Sequence, residues 1–363
     1  MRILFDHQTF SRQQYGGISR YFYELITRIA VMPAHDVMLF MGLHINKFDL
    51  ENHRTKMERY FGIRHPNIPH TYRVRRLLNE AMLRGFARNL HPDVYHLTYF
   101  DDTPRLGKRR VITIHDMTYE RFPHFFRHND TTPSEKQKAA SIADGIVCVS
   151  ECTRQDVCDM MKIPMEKTTV VYHANTLHCS VTPNNPFGYP YILYVGKRGA
   201  YKNFGTLLQA YVNSKRLRSE YHLLCFGSEK VTTAEHKFLA SYKIAHRVRF
   251  VHGDDELLAQ CYAHASILAY PSLAEGFGIP LLEAMYYGCP VVASDIPSLR
   301  ETAADAAMYF NPASPEELGG VIEKVLENGN LREGLVHRGR ARERLFSWEK
   351  SAAETIDFYH RIV

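Results

Sequence analysis

Residues 275–283 read EGFGIPLLE, with Glu275 and Glu283 set around two glycines and a proline. A carboxylate accepts hydrogen bonds and donates none, and a vicinal diol offers two donors, so each acid suits the hydroxyls of a sugar. Pro280 fits the first turn of a helix, and Gly288 and Pro290 stop that helix. Glu275 then lies in the preceding loop, and Glu283 is expected in the first turn, where the macrodipole favours an anion. Gly276 and Gly278 let the backbone approach a ligand closely. The amides of Phe277, Gly278 and Ile279 are expected to point out of the helix start, where phosphate binds. A phosphate flanked by two sugars satisfies all of these groups, and a nucleotide-sugar is such a molecule. Its diphosphate calls for cations. GKRGAYKN at 196–203 supplies Lys197, Arg198 and Lys202, an arginine for bidentate contact and lysines as point charges. No D-x-D occurs in the chain, so no bridging metal is required and none is expected.

These residues need strand ends to hold them. Apolar runs of strand length (RILF, VMLFM, DVYHLT, RVITIH, GIVCVS, TTVVYH) alternate with segments apolar at helical spacing in the first half. Residues 181–190, VTPNNPFGYP, hold three prolines, two asparagines and a glycine, a linker by composition. The alternation restarts at YILYVG and runs through HLLCFG, VRFVHG, SILAYPS and PVVASD. Such alternation implies parallel sheets covered on both faces. The predicted fold is α/β, with two doubly wound domains facing across a cleft: 1–182 and 183–346, and a C-terminal helix, 347–363, packing back on the first. Ligands in such sheets bind beyond the carboxyl ends of the strands. That rule points to Gly16 and Gly17, His115, Ser150, the loop after Gly196, the loop after Gly253, and EGFG, with a nucleotide base expected near Val251 to Asp254.

Composition narrows the class. The chain has 363 residues, 45% apolar and 23% charged, ordinary for a globular protein of two domains. Seven cysteines without a C-x-x-C pair argue against a disulfide framework or zinc site. The twenty histidines show no metal-ligand spacing. MRILFDHQTF reads as a first strand rather than a leader, and a cytoplasmic location is expected. Residues 1–180 carry 25 Lys and Arg against 19 Asp and Glu, and 181–363 carry 20 against 20. The excess gathers in 54–88, with nine bases against two acids interleaved with Tyr60, Phe61, Tyr72, Leu77, Leu78, Met82, Leu83 and Phe86. A basic amphipathic segment of this kind fits an anionic membrane surface, here the inner face of the cytoplasmic membrane.

Residues 191–348 resemble the donor domain of the GT-B retaining glycosyltransferases, specifically glycosyltransferase family 4. Glu275 and Glu283 match the family's E-x7-E element, and Arg198 with Lys202 in YVGKRGAYKN match its diphosphate pair. YGGISRY, VITIHD and ADGIVCVSECTRQDV carry the resemblance into the first half. It implies roles for these residues. Glu275 holds donor-sugar hydroxyls near the anomeric carbon, and Glu283 binds the ribose. Arg198 and Lys202 stabilise the leaving diphosphate, Gly16 and Gly17 let the first loop close on the phosphates, and His115 hydrogen-bonds the donor sugar. Lys197 stands where many relatives carry the arginine, so either Lys197 or Arg198 meets the phosphate.

The resemblance further implies a metal-independent, cofactor-free reaction that retains anomeric configuration. The string YVGxRxxYKNF with a YGGISRY start is most similar to mannosyltransferases of O-antigen assembly. The expected donor is therefore GDP-mannose and the acceptor a glycan or lipid-linked saccharide, in surface polysaccharide or lipopolysaccharide biosynthesis. The alternatives are a UDP- or dTDP-sugar donor, or a nucleotide-sugar 2-epimerase of the same fold. Nucleic-acid binding through the basic stretch is disfavoured, because a pure binder has no need of EGFG and GKRGAYK together.

Overall fold

The computed structural model describes residues 1–69, 71–101 and 103–363. The chain divides into two units, Met1–His173 with Ser347–Val363, and Ala174–Phe346. Each is built on one sheet, and every strand pair in both sheets is parallel. The boundary falls before the expected 182, because residues 177–182 are tied to the second unit. The Tyr287 hydroxyl donates to Leu177 O at 3.2 Å and receives the Cys179 amide at 2.9 Å, and Thr182 Oγ1 donates to Gln260 Oε1 at 3.0 Å.

The first unit has seven strands: β1 Arg2–Phe5, β2 Asp36–His44, β3 Arg59–Arg64, β4 Val94–Leu97, β5 Arg109–Ile114, β6 Gly145–Cys148 and β7 Thr168–Val170. Their order is β3-β2-β1-β4-β5-β6-β7. β1 and β4 are buried throughout or nearly so, as expected where helices cover both faces. The glycine pair opens the Gly17–Ile29 helix.

The basic stretch is not one amphipathic segment. Its start ends a 3₁₀ turn, Glu51–Lys56, then comes edge strand β3, and then the Tyr72–Ala87 helix. His70 lies outside the described residues. β3 joins β2 through a register shift between Phe40 and Gly42, where Gly42 takes φ +58°, a conformation that favours glycine. Asn79, buried on the helix, pins the irregularity. It accepts from Leu43 N at 2.7 Å and donates to Leu43 O and Ser11 Oγ, each at 3.0 Å.

The second unit has β8 Tyr191–Val195, β9 His222–Phe226, β10 Val248–Val251, β11 Ile267–Tyr270, β12 Val291–Ser294 and β13 Ala307–Phe310, in the order β10-β9-β8-β11-β12-β13.

The last helix, Trp348–Ile362, belongs to the first unit. Ser347 caps it by accepting from Lys350 N, and Ser351 Oγ donates to Tyr172 O at 2.6 Å. Its approach to the sheet depends on Gly145, where a Cβ would lie 2.7 Å from Phe358 Cζ and 3.1 Å from Ile362 Cδ1. Gly145→Ala is therefore expected to lower stability by about 1–3 kcal/mol through overpacking, read as an earlier urea midpoint with an unchanged slope. A midpoint equal to wild type would show that the helix is not seated on β6.

Candidate active site

In the second sheet the strand order reverses between β8 and β11, with β9 and β10 on one side and β12 and β13 on the other. The chain leaves these two neighbours in opposite directions, and a crevice opens beyond their carboxyl ends. The loop after β8 carries Lys202, and the loop after β11 carries Glu275. Their side chains meet there: Lys202 Nζ donates to Glu275 Oε1 at 2.6 Å. The hydroxyl of Tyr270, the last residue of β11, donates to the same oxygen at 2.8 Å. Two further bonds lock the loops together. Leu273 N donates to Tyr201 O at 2.7 Å, and Asn203, in the left-handed region, donates to Pro271 O at 3.0 Å. Glu275 is thus charge-compensated on one oxygen and only about one-eighth exposed.

The Ile279–Tyr286 helix starts from Gly278 at φ +103°, where a Cβ would meet Leu299 Cδ2 at 2.7 Å. Pro280 occupies its first turn, as expected. Glu283 does not. It falls one turn later, because the helix begins at Ile279 and the first turn holds no acid. Glu283 is buried and accepts from the Tyr262 hydroxyl at 2.7 Å. Phe277 turns its ring inward onto Phe346, with centroids 5.5 Å apart, and its carbonyl accepts from Thr302 Oγ1. Ile279 is half-buried at the helix start, and Val251 is half-buried at the end of edge strand β10.

Lys197 and Arg198 part company. Lys197 is exposed and Arg198 is buried. Arg198 Nε donates to Glu235 Oε1 at 2.7 Å, and Nη2 donates to the carbonyls of Glu229 and Lys230, each at 2.9 Å. Its guanidinium lies 4.7 Å from the centre of the Phe250 ring. Burial pushes the Glu235 carboxyl up, but hydrogen bonds from Arg198 and Thr232 outweigh it and hold Glu235 below its usual range. Glu235 also closes a capping box with Thr232 at the start of the Thr233–Ser241 helix. Arg198 therefore organises the loop that presents Lys202.

In the first unit, Gly16 and Gly17 stand at the start of the Gly17–Ile29 helix. Gly16 is extended, its carbonyl accepts from Arg20 N and Ser19 Oγ, and no atom lies within 4 Å of a Cβ built on Gly17. His115, just beyond β5, is half-buried, stacks on His173 with centroids 5.6 Å apart, and meets Tyr21 edge-on at 5.0 Å. Burial, with the nearby His96 and Lys136, pushes His115 down to about 3. It is a neutral hydrogen-bonding group at neutral pH, and too weak a base for efficient proton abstraction there. Behind it, His96 is fully buried and bonds the Tyr359 hydroxyl through Nδ1 and Thr113 Oγ1 through Nε2, and the Tyr21 hydroxyl also reaches Thr113 Oγ1. Sequence reasoning missed Tyr270, Tyr262, Asn203 and Glu235. Only the tyrosine closing SILAY, at a strand's carboxyl end, offered a signal.

Residues 182–342 match the family described as Glycosyl transferases group 1, and 15–174 match Glycosyltransferase Family 4. The O-antigen chain mannosyltransferase B of Escherichia coli is 30% identical, covering 94% of this chain and 95% of that one. The chain is a group 1 glycosyltransferase. The O-antigen chain mannosyltransferase RfbU of Salmonella typhimurium is 26% identical over 61% of this chain and 62% of its own length. Among solved structures, sucrose-phosphate synthase from Thermosynechococcus elongatus matches at TM-score 0.80 and 19% identity, covering 100% of this chain and 99% of that one. Anabaena HepE in complex with UDP and glucose matches at 0.75 and 16%, covering 99% and 100%. These likenesses establish the GT-B fold of the glycosyltransferase.

Among the described residues, no group of three or more His, Cys, Asp or Glu could hold a metal ion, and no helix is long and apolar enough to cross a membrane. The Tyr72–Ala87 helix buries Arg75, Asn79, Leu83 and Phe86. Its other face shows Val74, Leu77 and Leu78 to solvent, with Arg73, Arg84 and Arg88 also exposed.

Removing Arg198 leaves half-buried Glu235 without its cation, so Arg198→Ala is expected to cost about 3 kcal/mol, whereas exposed Lys197→Ala stays within about 0.5 kcal/mol. Glu235 is held low in the native state, so its contribution is complete above the ordinary glutamate range, about 4.3. It fades as pH falls through the lower native value. Urea melts from pH 7 to pH 3 should show the gap between wild type and Arg198→Ala closing in acid. Equal losses in the two variants at pH 7 would refute the division of roles.

Proposed function

We propose that the glycosyltransferase moves mannose from GDP-mannose to a saccharide or lipid-linked acceptor in O-antigen or related surface-polysaccharide synthesis, with retention of configuration and without a metal. The observation that carries the reading is the Lys202–Glu275 pair at the β8/β11 crevice. It puts a cation for a diphosphate beside an acceptor for sugar hydroxyls. Mannose is supported by the names of the relatives similar over the greater part of the chain. A UDP-sugar donor is the second reading, favoured by the likeness to HepE bound to UDP and glucose.

Glu275 accepts from donor-sugar hydroxyls, and Glu283, steadied by Tyr262, accepts from the ribose. Lys202 offsets charge as it builds on the leaving diphosphate, with exposed Lys197 rather than buried Arg198 as the second cation. Gly278 and Ile279 lie against the phosphates, and Val251 lies beside the base. In the first unit, His115 donates or accepts as a neutral group toward a sugar hydroxyl, and open space at Gly17 leaves room for phosphate. The acceptor's proton passes to the leaving phosphate, and neutral His115 positions a hydroxyl rather than taking that proton.

The measurement is thermal unfolding with GDP and UDP, each with and without EDTA. A nucleotide at about 100 times its Kd adds roughly 2.7 kcal/mol of stability. GDP is expected to stabilise and EDTA to change nothing; stabilisation by UDP alone would transfer the proposal to the second reading, and stabilisation lost with EDTA would end the metal-free one. Glu275→Gln should lower kcat by about 100-fold or more, on the scale of losing one transition-state hydrogen bond, with GDP affinity little changed. Normal turnover in that variant would refute the site.

We further propose that the Val74–Leu77–Leu78 face, ringed by arginines, rests on anionic membrane. Leu77→Ser with Leu78→Ser should release the protein from phosphatidylglycerol vesicles while leaving its thermal midpoint in place. Equal sedimentation of wild type with neutral and anionic vesicles would remove the idea.

A further inference from the structure

A second cleft lies wholly in the first unit, about 710 Å³ in volume, at the carboxyl ends of β2 and β3 beneath the 45–52 loop. That volume is in the range of small-molecule sites. Met41, His44 and Asn46 form a buried floor, and Tyr60 is a half-buried wall. Asp49, Asn52 and Arg64 stand exposed on the rim. The loop is built onto the glycine segment. Asn46 Nδ2 donates to Gln13 O at 3.0 Å, and Lys47 N donates to Gln14 O at 3.0 Å. Tyr15, 63% exposed and next to Gly16, meets Phe48 edge-on at 5.7 Å. Asn46 is consumed by these bonds, since its Oδ1 also accepts from Phe48 N, so it shapes the cleft rather than contacting a guest.

The chemistry of the lining selects its guest. Two cations, Lys47 and Arg64, face two anions, Asp49 and Glu51. Burial pushes His44 down to about 4, which leaves the imidazole uncharged at neutral pH. The formal charges of the lining cancel, and Glu51 is paired with Arg54 at 3.6 Å. The rim offers a carboxylate, an amide and a guanidinium; Asn52 Nδ2 donates to Asp49 Oδ2, so Asp49 Oδ1, Asn52 Oδ1 and the Arg64 guanidinium are the groups placed to meet hydroxyls. Tyr60 offers its ring to C–H groups, while Phe48 braces the loop by stacking on Tyr23, with centroids 5.5 Å apart, under the Arg20 guanidinium. The Tyr60 hydroxyl makes only a 3.5 Å contact to Met41 Sδ. Planar polar groups beside one aromatic wall, with formal charges that cancel, describe a site for a polyol ring. β2 and β3 lie three and four strands from β5, which carries His115, or roughly 14–19 Å at about 4.8 Å per strand. One sugar residue cannot span that distance.

We propose that this cleft binds a neutral sugar residue of the acceptor glycan, set back along the chain from the residue that is glycosylated. The proposal rests on the glycosyltransferase reading above and adds how the acceptor is read: a longer neutral glycan is held at two places on the first unit, so the enzyme prefers an extended acceptor to a monosaccharide.

The test is saturation-transfer NMR on the full chain with α-linked mannotetraose, maltotetraose and inorganic phosphate as probes, beside Asn52→Ala and Tyr60→Phe. GDP and UDP thermal shifts are recorded on the same samples. At least one tetrasaccharide is expected to give a signal that falls about five-fold or more in both variants, with nucleotide stabilisation kept. No signal from either sugar, or a signal unchanged in both variants, would overturn the subsite, and if a nucleotide still stabilises the protein the donor reading stands. Displacement of the sugar by phosphate would also overturn it, since the cleft would then be an anion site.

Discussion

A lysine from one loop and the tyrosine that ends β11 share one carboxylate oxygen: Lys202 and Tyr270 both donate to Glu275 Oε1. This contact exists only because β8 and β11, distant in sequence, are neighbours in the sheet. The strand order reverses at that point, so no helix closes over the crevice, and side chains from both loops reach the same space. Removing either member would leave a largely buried charge unmatched, which costs far more than the pair itself contributes. Arg198, the 229–235 loop, Asn203 and the Leu273–Tyr201 bond are the framework that keeps the two loops in register.

The first unit meets a comparable demand with neutral groups. His115 and His173 meet Tyr21 edge-on, His96 meets the neighbouring Phe22, and burial drives all three well below the usual histidine range. Like charges at such distances would be costly, so uncharged rings are the form compatible with this packing. The chain Tyr359–His96–Thr113–Tyr21 then ties the C-terminal helix to the helix that opens at the glycine pair. The last helix is therefore part of the support for the glycine loop and His115, although it is the most distant element in sequence.

The surfaces of this unit divide by polarity. Exposed leucines and a valine among arginines suit the headgroup boundary of a membrane, where apolar side chains and cations are both satisfied. The cleft under the 45–52 loop carries balanced charges and planar polar groups, which suit hydroxyls. The irregular pairing of β3, held by Asn79 and Gly42, separates the two, since it places the cleft at the strand ends and leaves the helix face outward.

Much of this was legible in sequence. Apolar runs alternating with helical periodicity require parallel sheets, and Gly278 and Pro280 allow a helix to start where it does. The acids and bases at strand ends marked the crevice where Lys202 and Glu275 meet. What the sequence left open depended on contacts between distant segments. Lys197 and Arg198 are adjacent cations of equal formal charge, and only the folding of the 229–235 loop over one of them decides which is buried. Glu283 moved beyond the first turn because the helix starts at Ile279, one residue before the proline that signals it. The basic stretch broke into a strand and a helix because β2 had an unpaired edge for RYFGIR to join, and local propensity carries no record of a vacant edge elsewhere in the chain.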